Sequence, residues 1–223
     1  MLKTNHTFTS PINRTGARAG WVGRIPSIST TVNRDEAVRN LTPSHLKAVH
    51  ELNPETSHFY RCEQTHSNQV VAITDHAPHQ SSNHPILPTA DGLCTNLPNT
   101  TLGIYVADCG AIYLSDPIKK AVALLHSGKV GTQKNILEQG ILAMQTHFNS
   151  EAKDIIVSLS PCIRPPAYEI DFAQTIAQQA LEAGILKEHY HDCQTCTTSS
   201  PDQFYSYRQE KGKTGRMLAL ISL

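Results

Sequence analysis

The sequence predicts an α+β fold, with mixed or antiparallel sheets flanked by helices, in one compact domain spanning residues 1–223. Two observations carry this. β-Branched and apolar runs at 101–108, 111–116 and 121–126 follow one another with connections too short for crossover helices. Helical patterns fall before and after those runs instead of alternating with them, unlike a doubly wound sheet. No repeat, low-complexity tract or Gly/Ser linker divides the chain.

In chain order, "SHLKAVHEL" (44–52) reads as a helix and "QVVAIT" (69–74) as a strand. The polar, proline-punctuated stretch 75–92 reads as a long surface loop. "TLGIYVAD", "AIYLSD" and "AVALLH" supply three strands, and Asp116-Pro117 with Lys119-Lys120 predicts a hairpin turn between the last two. Leu137, Ile141, Met144 and Phe148 recur at helical spacing, and Thr132 is a candidate N-cap for that helix. "DIIVSLS" (154–160) reads as a strand. Asp171 is placed to cap a helix running to Ala183, with Gly184 as its stop. The tail from Phe204 reads as two strands joined by a glycine-containing turn.

Nineteen basic residues balance nineteen acidic ones, which leaves no electrostatic footprint for nucleic acid or an anionic membrane. No run approaches the roughly 20 apolar residues of a membrane span. The opening "MLKTNHTFTS" lacks a secretory apolar segment, so a cytoplasmic location is expected. In that compartment cysteines 62, 94, 109, 162, 193 and 196 read as reduced thiols, metal ligands or a nucleophile.

A hairpin turn centred near Ile118 would set Cys109 or Gly110 opposite His126, bringing a thiol and an imidazole to one end of a sheet. A buried cysteine packed on a core histidine satisfies the same pattern. After His126, "SGKVGT" passes two glycines into a helix, and Lys129 adds a positive charge, a combination that favours an anion. A tight connection needing glycine for positive φ is the plainer account.

The motifs "EQTHSNQVV" (63–71), "ADGLCTN" (90–96), "LGIYVADCGAIYL" (102–114), "HSGKVGTQKNI" (126–136), "SPCIRPPAYEID" (160–171) and "CTTSSPDQFYSYRQEKGKTGRM" (196–217) resemble those of the laccase-domain, or multicopper polyphenol oxidase, family. The resemblance runs from about residue 60 to the end, and the first 60 residues match poorly. It implies the laccase-domain fold, which is cysteine-hydrolase-like, and a metal held by His66, Cys109 and His126. Two imidazoles and a thiolate suit Zn²⁺ with a fourth position left open, copper being the other possibility. The family's turn reads histidine-alanine-glycine-tryptophan-arginine-glycine; here Ser127, Lys129 and Val130 take the variable positions. The glycine usual after the first histidine is Ser67.

The activity so implied is zinc-dependent purine nucleoside phosphorolysis of adenosine or inosine, with adenosine deaminase and methylthioadenosine phosphorylase side activities. His66, Cys109 and His126 would be the catalytic group, and Lys129, Arg208 and Asp91 would meet the substrate, a purine nucleoside and phosphate. Asp91 and Asp108 are candidate acid/base or ligand-supporting groups, and turn-capping aspartates equally. Arg208 alternates with Tyr205 and Tyr207, a pattern that on a strand would place charge and aromatic on opposite faces. The rival readings are a copper polyphenol oxidase, a hydrolase with Cys109 as nucleophile and His126 as base, and a nucleoside-binding protein without turnover. "HYHDCQTC" (189–196) offers a weaker second metal cluster. "KGKTG" (211–215) fails as a nucleotide loop because Tyr207 stands where a glycine is required. A monomer or homodimer is expected.

Overall fold

The computed structural model describes residues 7–76 and 84–223. Their elements in chain order are α1 (Ser10–Asn13), β1 (Arg18–Val22), α2 (Arg34–Leu52), β2 (His58–Cys62), β3 (Val70–Ile73), β4 (Ile86–Leu87), β5 (Gly92–Thr95) and β6 (Thr100–Val106). They continue with β7 (Gly110–Asp116), β8 (Ala121–Ser127), α3 (Lys129–Gln133), α4 (Ile136–Phe148), β9 (Ile156–Leu159), α5 (Phe172–Glu182), β10 (Tyr190–Asp192) and β11 (Met217–Ser222). They build two mixed sheets, ordered β1-β11-β6-β2-β4 and β10-β9-β7-β8-β5-β3. The fold is α+β, as the adjacent strands predict.

The sheets pack face to face. Trp21, Tyr60, Leu102, Ile104 and Met217 of the first meet Leu93, Tyr113, Val122 and Leu124 of the second in one apolar cluster. On the outer face of the second sheet, Ile112, Leu114, Ala123 and Leu125 pack against Leu137, Ile141 and Met144 of α4 and Ile176 of α5. On the outer face of the first, Phe59, Tyr105 and Leu220 pack against Ala48, Val49 and Leu52 of α2. The order is therefore helix, sheet, sheet, helices. Covering both faces of both sheets explains why β6, β7 and β8 are buried along their whole length and read as continuous apolar runs.

Local signals hold at several ends. Asp171 accepts from Gln174 N at 3.0 Å to cap α5, and Gly184 follows it with φ +90°. Asp116 Oδ1 accepts from Ile118 N at 2.8 Å and Lys119 N at 3.0 Å, closing the β7–β8 turn.

Elsewhere the expectations need correcting. The helix read at 44–52 starts at Arg34, capped by Asn33, whose side chain accepts from Glu36 N, and it carries Pro43 inside. The loop at 75–92 contains the two residues of β4, and its positions 77–83 lie outside the described residues. Thr132 is not an N-cap; it sits inside α3, and Asn135 caps α4. The tail holds one strand, β11, which lies between β1 and β6 and so has both edges taken. The segment before it spends its donors in local turns: Glu210 N on Ser206 O at 2.9 Å and Gly212 N on Tyr207 O at 2.9 Å.

Candidate active site

The first histidine lies on the turn after β2. Gln64 and His66 both take left-handed backbone, φ +63° and +60°. The Gln64 side chain stands in for a strand residue, with Nε2 donating to Tyr105 O at 2.6 Å and Oε1 accepting from Tyr105 N at 2.9 Å. The backbone N–H groups of Thr65 (3.0 Å), His66 (3.1 Å) and Ser67 (2.7 Å) then converge on the carboxylate of Asp91, which precedes β5. Ser67 Oγ joins them at 2.9 Å. Its hydroxyl, where the family usually has glycine, adds a bond to the same hub.

Asp91 also reaches the second histidine. Its Oδ1 lies 2.8 Å from His126 Nδ1, and its backbone oxygen accepts from His126 N at 2.7 Å. A carboxylate on Nδ1 leaves Nε2 of that ring available to a metal. Burial opposes ionisation of Asp91, yet the bonds from His126 and Ser67 outweigh it and hold the carboxyl at about 2. Expected at the substrate, Asp91 lies fully buried behind His126, with its oxygens spent on protein donors.

The thiol arrives by a different register from the one expected. Ala111 faces His126 and Gly110 faces Ser127, so Cys109 lies just beyond the end of β7. The turn holds four residues, 117–120, with Lys120 at φ +50°, one position more than a centre at Ile118 allows. Cys109 still meets the histidines because Gly128 leaves room: a Cβ there would sit 2.4 Å from Cys109 Sγ. Neither Gly128 nor Gly131 has positive φ, so close approach, not turn geometry, requires glycine at 128. Ser127 Oγ braces the turn through Thr132 Oγ1 at 2.9 Å. Asp108 pins the preceding residue, accepting from Thr197 Oγ1 at 2.6 Å and Arg208 N at 2.8 Å.

His66, Cys109 and His126 thus place one donor atom each within 4.8 Å of one another, and the two rings stand edge to face at 5.0 Å. Three such donors grouped this closely could hold a common ion, and two imidazoles plus a thiolate are a zinc donor set. The residues fit a metal. Burial pushes the Cys109 thiol up, but His126 and His66 outweigh it and bring it down to about 6. Burial lowers His126, and Cys109 and Asp91 reverse this, raising it to about 9. Among the described residues no other group of three such ligands forms. In the 189–196 stretch Asp192 is paired to Arg164 at 2.5 Å.

The group opens on a cavity of about 650 Å³. Lys129 and Arg208 line it. Arg208 comes from a turn, not a strand; it pairs with Glu169 at 2.6 Å and lies over the Tyr168 ring at 5.1 Å. Tyr205 is buried away, its hydroxyl accepting from Ile25 N, while Tyr207 reaches the cavity. Sequence reasoning missed Arg34, Tyr105, Tyr168, Phe172 and Arg216 on this wall. Arg216 falls inside a recognisable motif, "GRM"; Arg34 carries no sequence signal beyond the start of a helix.

Fold and site together define an α+β protein of two stacked sheets, with a His–Cys–His group suited to a metal lining a basic, aromatic-walled cavity. The profile of the family described as "Multi-copper polyphenol oxidoreductase laccase" matches residues 24–173 and 169–223, and the chain belongs to that family. It is 28% identical to the purine nucleoside phosphorylase YlmD of Bacillus subtilis, across 99% of this chain and 91% of that protein. It is 25% identical to the human purine nucleoside phosphorylase LACC1, covering 98% of this chain and 55% of the human one. Among solved structures it is similar to YlmD from Geobacillus stearothermophilus (TM-score 0.77, 25% identity, 93% and 92% of the two chains). The hypothetical protein YfiH of Bacillus licheniformis shares the fold at TM-score 0.82 and 21% identity, covering 100% and 98%.

Proposed function

We propose that the protein is a zinc-dependent purine nucleoside phosphorylase acting on adenosine or inosine. The observation that carries this reading is the cavity itself: a metal-competent group lines it together with cationic and aromatic side chains. Relatives bearing that name across nearly the whole chain support it.

In the reaction, a phosphate oxygen attacks the anomeric carbon of the ribose. The N-glycosidic bond breaks, its electron pair leaves with the purine, and the base takes a proton from solvent. His66, Cys109 and His126 would hold the ion, which when bound supplies a positive charge that orients reactants and offsets developing negative charge. Tyr168, Phe172 and Tyr207 offer rings for the purine to stack on. Lys129 and Arg208 contribute positive charge to the wall and favour an anionic co-substrate. Adenosine deamination, with water replacing the amino group and ammonia released, and phosphorolysis of methylthioadenosine belong to the same reading. So do a cytoplasmic location and a single domain over residues 1–223.

The depressed thiol of Cys109 beside the raised imidazole of His126 favours one second reading, a thiolate nucleophile in a hydrolase. Chromatography of inosine and adenosine reactions, with and without phosphate and a chelator, separates the two. Phosphate-dependent, chelator-sensitive release of hypoxanthine supports the phosphorylase. Activity indifferent to phosphate and chelator, but lost on thiol alkylation, would overturn it.

A further inference from the structure

The cavity holds a buried cation that the sequence reading did not use. Arg216 is 9% exposed and lines the cavity just before β11. Its Nη1 donates to Thr214 O at 3.2 Å and Gly215 O at 2.9 Å, both on its own backbone. Among the described residues no carboxylate pairs with it, although Arg24, Arg164 and Arg208 each have an acidic partner. An arginine this buried normally faces an anion, because an uncompensated charge out of water is costly.

The position is held by packing. A Cβ on Gly215 would lie 2.6–2.8 Å from three atoms of the buried Tyr205 ring, so the backbone of residue 215 presses directly on that ring. Arg34, the first residue of α2, lines the same cavity from the helix that packs on the sheet containing β11. Its one side-chain hydrogen bond among the described residues, Nη2 to Glu63 O at 3.3 Å, likewise goes to backbone. Burial and the neighbouring Arg34 charge both disfavour the Arg216 cation, whereas Cys109 and Asp108 favour it; these groups thus lie within electrostatic reach of each other. Asp108, the carboxylate on the cavity wall, already spends both oxygens on Thr197 and Arg208 N. Two guanidinium groups without acidic partners among the described residues, beside the His–Cys–His group, leave a place for a tetrahedral oxyanion that a planar fork grips through two parallel bonds.

We propose that Arg216, with Arg34 beside it, forms the oxyanion subsite of this cavity, occupied by the phosphate co-substrate if the phosphorylase reading holds. The subsite differs from the glycine turn after His126, where the sequence places its anion-favouring signal. A nucleoside 5′-monophosphate would bring the same oxyanion on the substrate side, and the test separates the two sources.

The zinc-loaded full chain is titrated with inorganic phosphate by calorimetry, alongside Arg216→Gln and Arg34→Gln, with phosphate and inosine KM measured in parallel. The expected result is a Kd for inorganic phosphate at least tenfold weaker in Arg216→Gln and at least threefold weaker in Arg34→Gln. Inosine KM should move less than twofold. Unchanged phosphate affinity in folded Arg216→Gln overturns the subsite. Should that variant not fold, the exposed Arg34→Gln decides in the same way. Weakened binding of inosine 5′-monophosphate with unchanged inorganic phosphate affinity also overturns it. Arginine-dependent phosphate binding without nucleoside cleavage would leave the subsite standing and remove the phosphorylase reading. Phosphate-dependent cleavage with a phosphate KM unmoved in both variants would do the reverse.

Discussion

At Gly128 the backbone, φ −120°, suits any residue, and what excludes a side chain is the Cys109 thiol 2.4 Å from where a Cβ would be. The clashing atom is the free end of a short side chain, which can rotate away without disturbing the core. Gly128→Ala should therefore fold with a near-normal melting temperature while zinc affinity falls at least tenfold, read by titration against a chromogenic chelator. A variant that keeps its zinc affinity would show that the thiol does not need this space. Asp91 acts through its neighbours: it holds the His66 turn by three backbone N–H groups and His126 by Nδ1. For Asp91→Asn the expected loss is about 10–100-fold in metal affinity, the usual cost of losing a carboxylate behind a ligating histidine. Ser67→Gly removes the hydroxyl, which is shared between Asp91 and Thr89 O and accepts from Gln69 N at 3.2 Å, and keeps the backbone bond to Asp91. It should cost about 1 kcal/mol in a denaturant titration and leave metal content at that of the parent.

At the scale of elements, α2 carries a buried histidine whose two ring nitrogens have no hydrogen-bond partner among the described residues. His45 packs against the Tyr105 ring at 5.4 Å between helix and sheet. Burial, with Arg61 adding to it, lowers its pKa to about 3. Below pH 6.5 the unfolded chain takes up a proton at this position that the folded chain refuses until about pH 3. Stability conferred here is therefore present at neutral pH and is lost as pH falls through that window. By pH 5 the loss is about 2 kcal/mol, from a slope of about 1.4 kcal/mol per pH unit. His45→Phe should flatten the pH dependence of the urea midpoint between pH 6.5 and 5; an unaltered slope would contradict the assignment.

For the whole molecule, the three metal-competent side chains come from the turn after β2, the β6–β7 connection and the end of β8, so one ion would tie both sheets together. A ligand present at 100 times its Kd and bound only by the folded state adds about 2.7 kcal/mol. Chelation should lower the melting temperature of the parent by several degrees and leave that of Cys109→Ala unmoved, as scanning calorimetry would report. Equal sensitivity of the two would place the stabilising metal elsewhere.

Composition, turn residues and periodicity by themselves determined the adjacent strands, the apolar face of α4 and the Asp171 cap of α5, because these depend on neighbours a few residues away. The motifs pointed to His66, Cys109 and His126, but no local spacing of ligands betrayed them, since they lie far apart along the chain. The register of the β7–β8 hairpin was missed by one residue, because Lys120 enters the turn in left-handed backbone. Only the tertiary structure decided that Asp91 stands behind the two histidines, that Gly128 makes room for a thiol, and that Arg216 lies buried in the cavity wall. Each depends on what another segment places against the residue, and the two stacked sheets bring those segments together from distant parts of the chain.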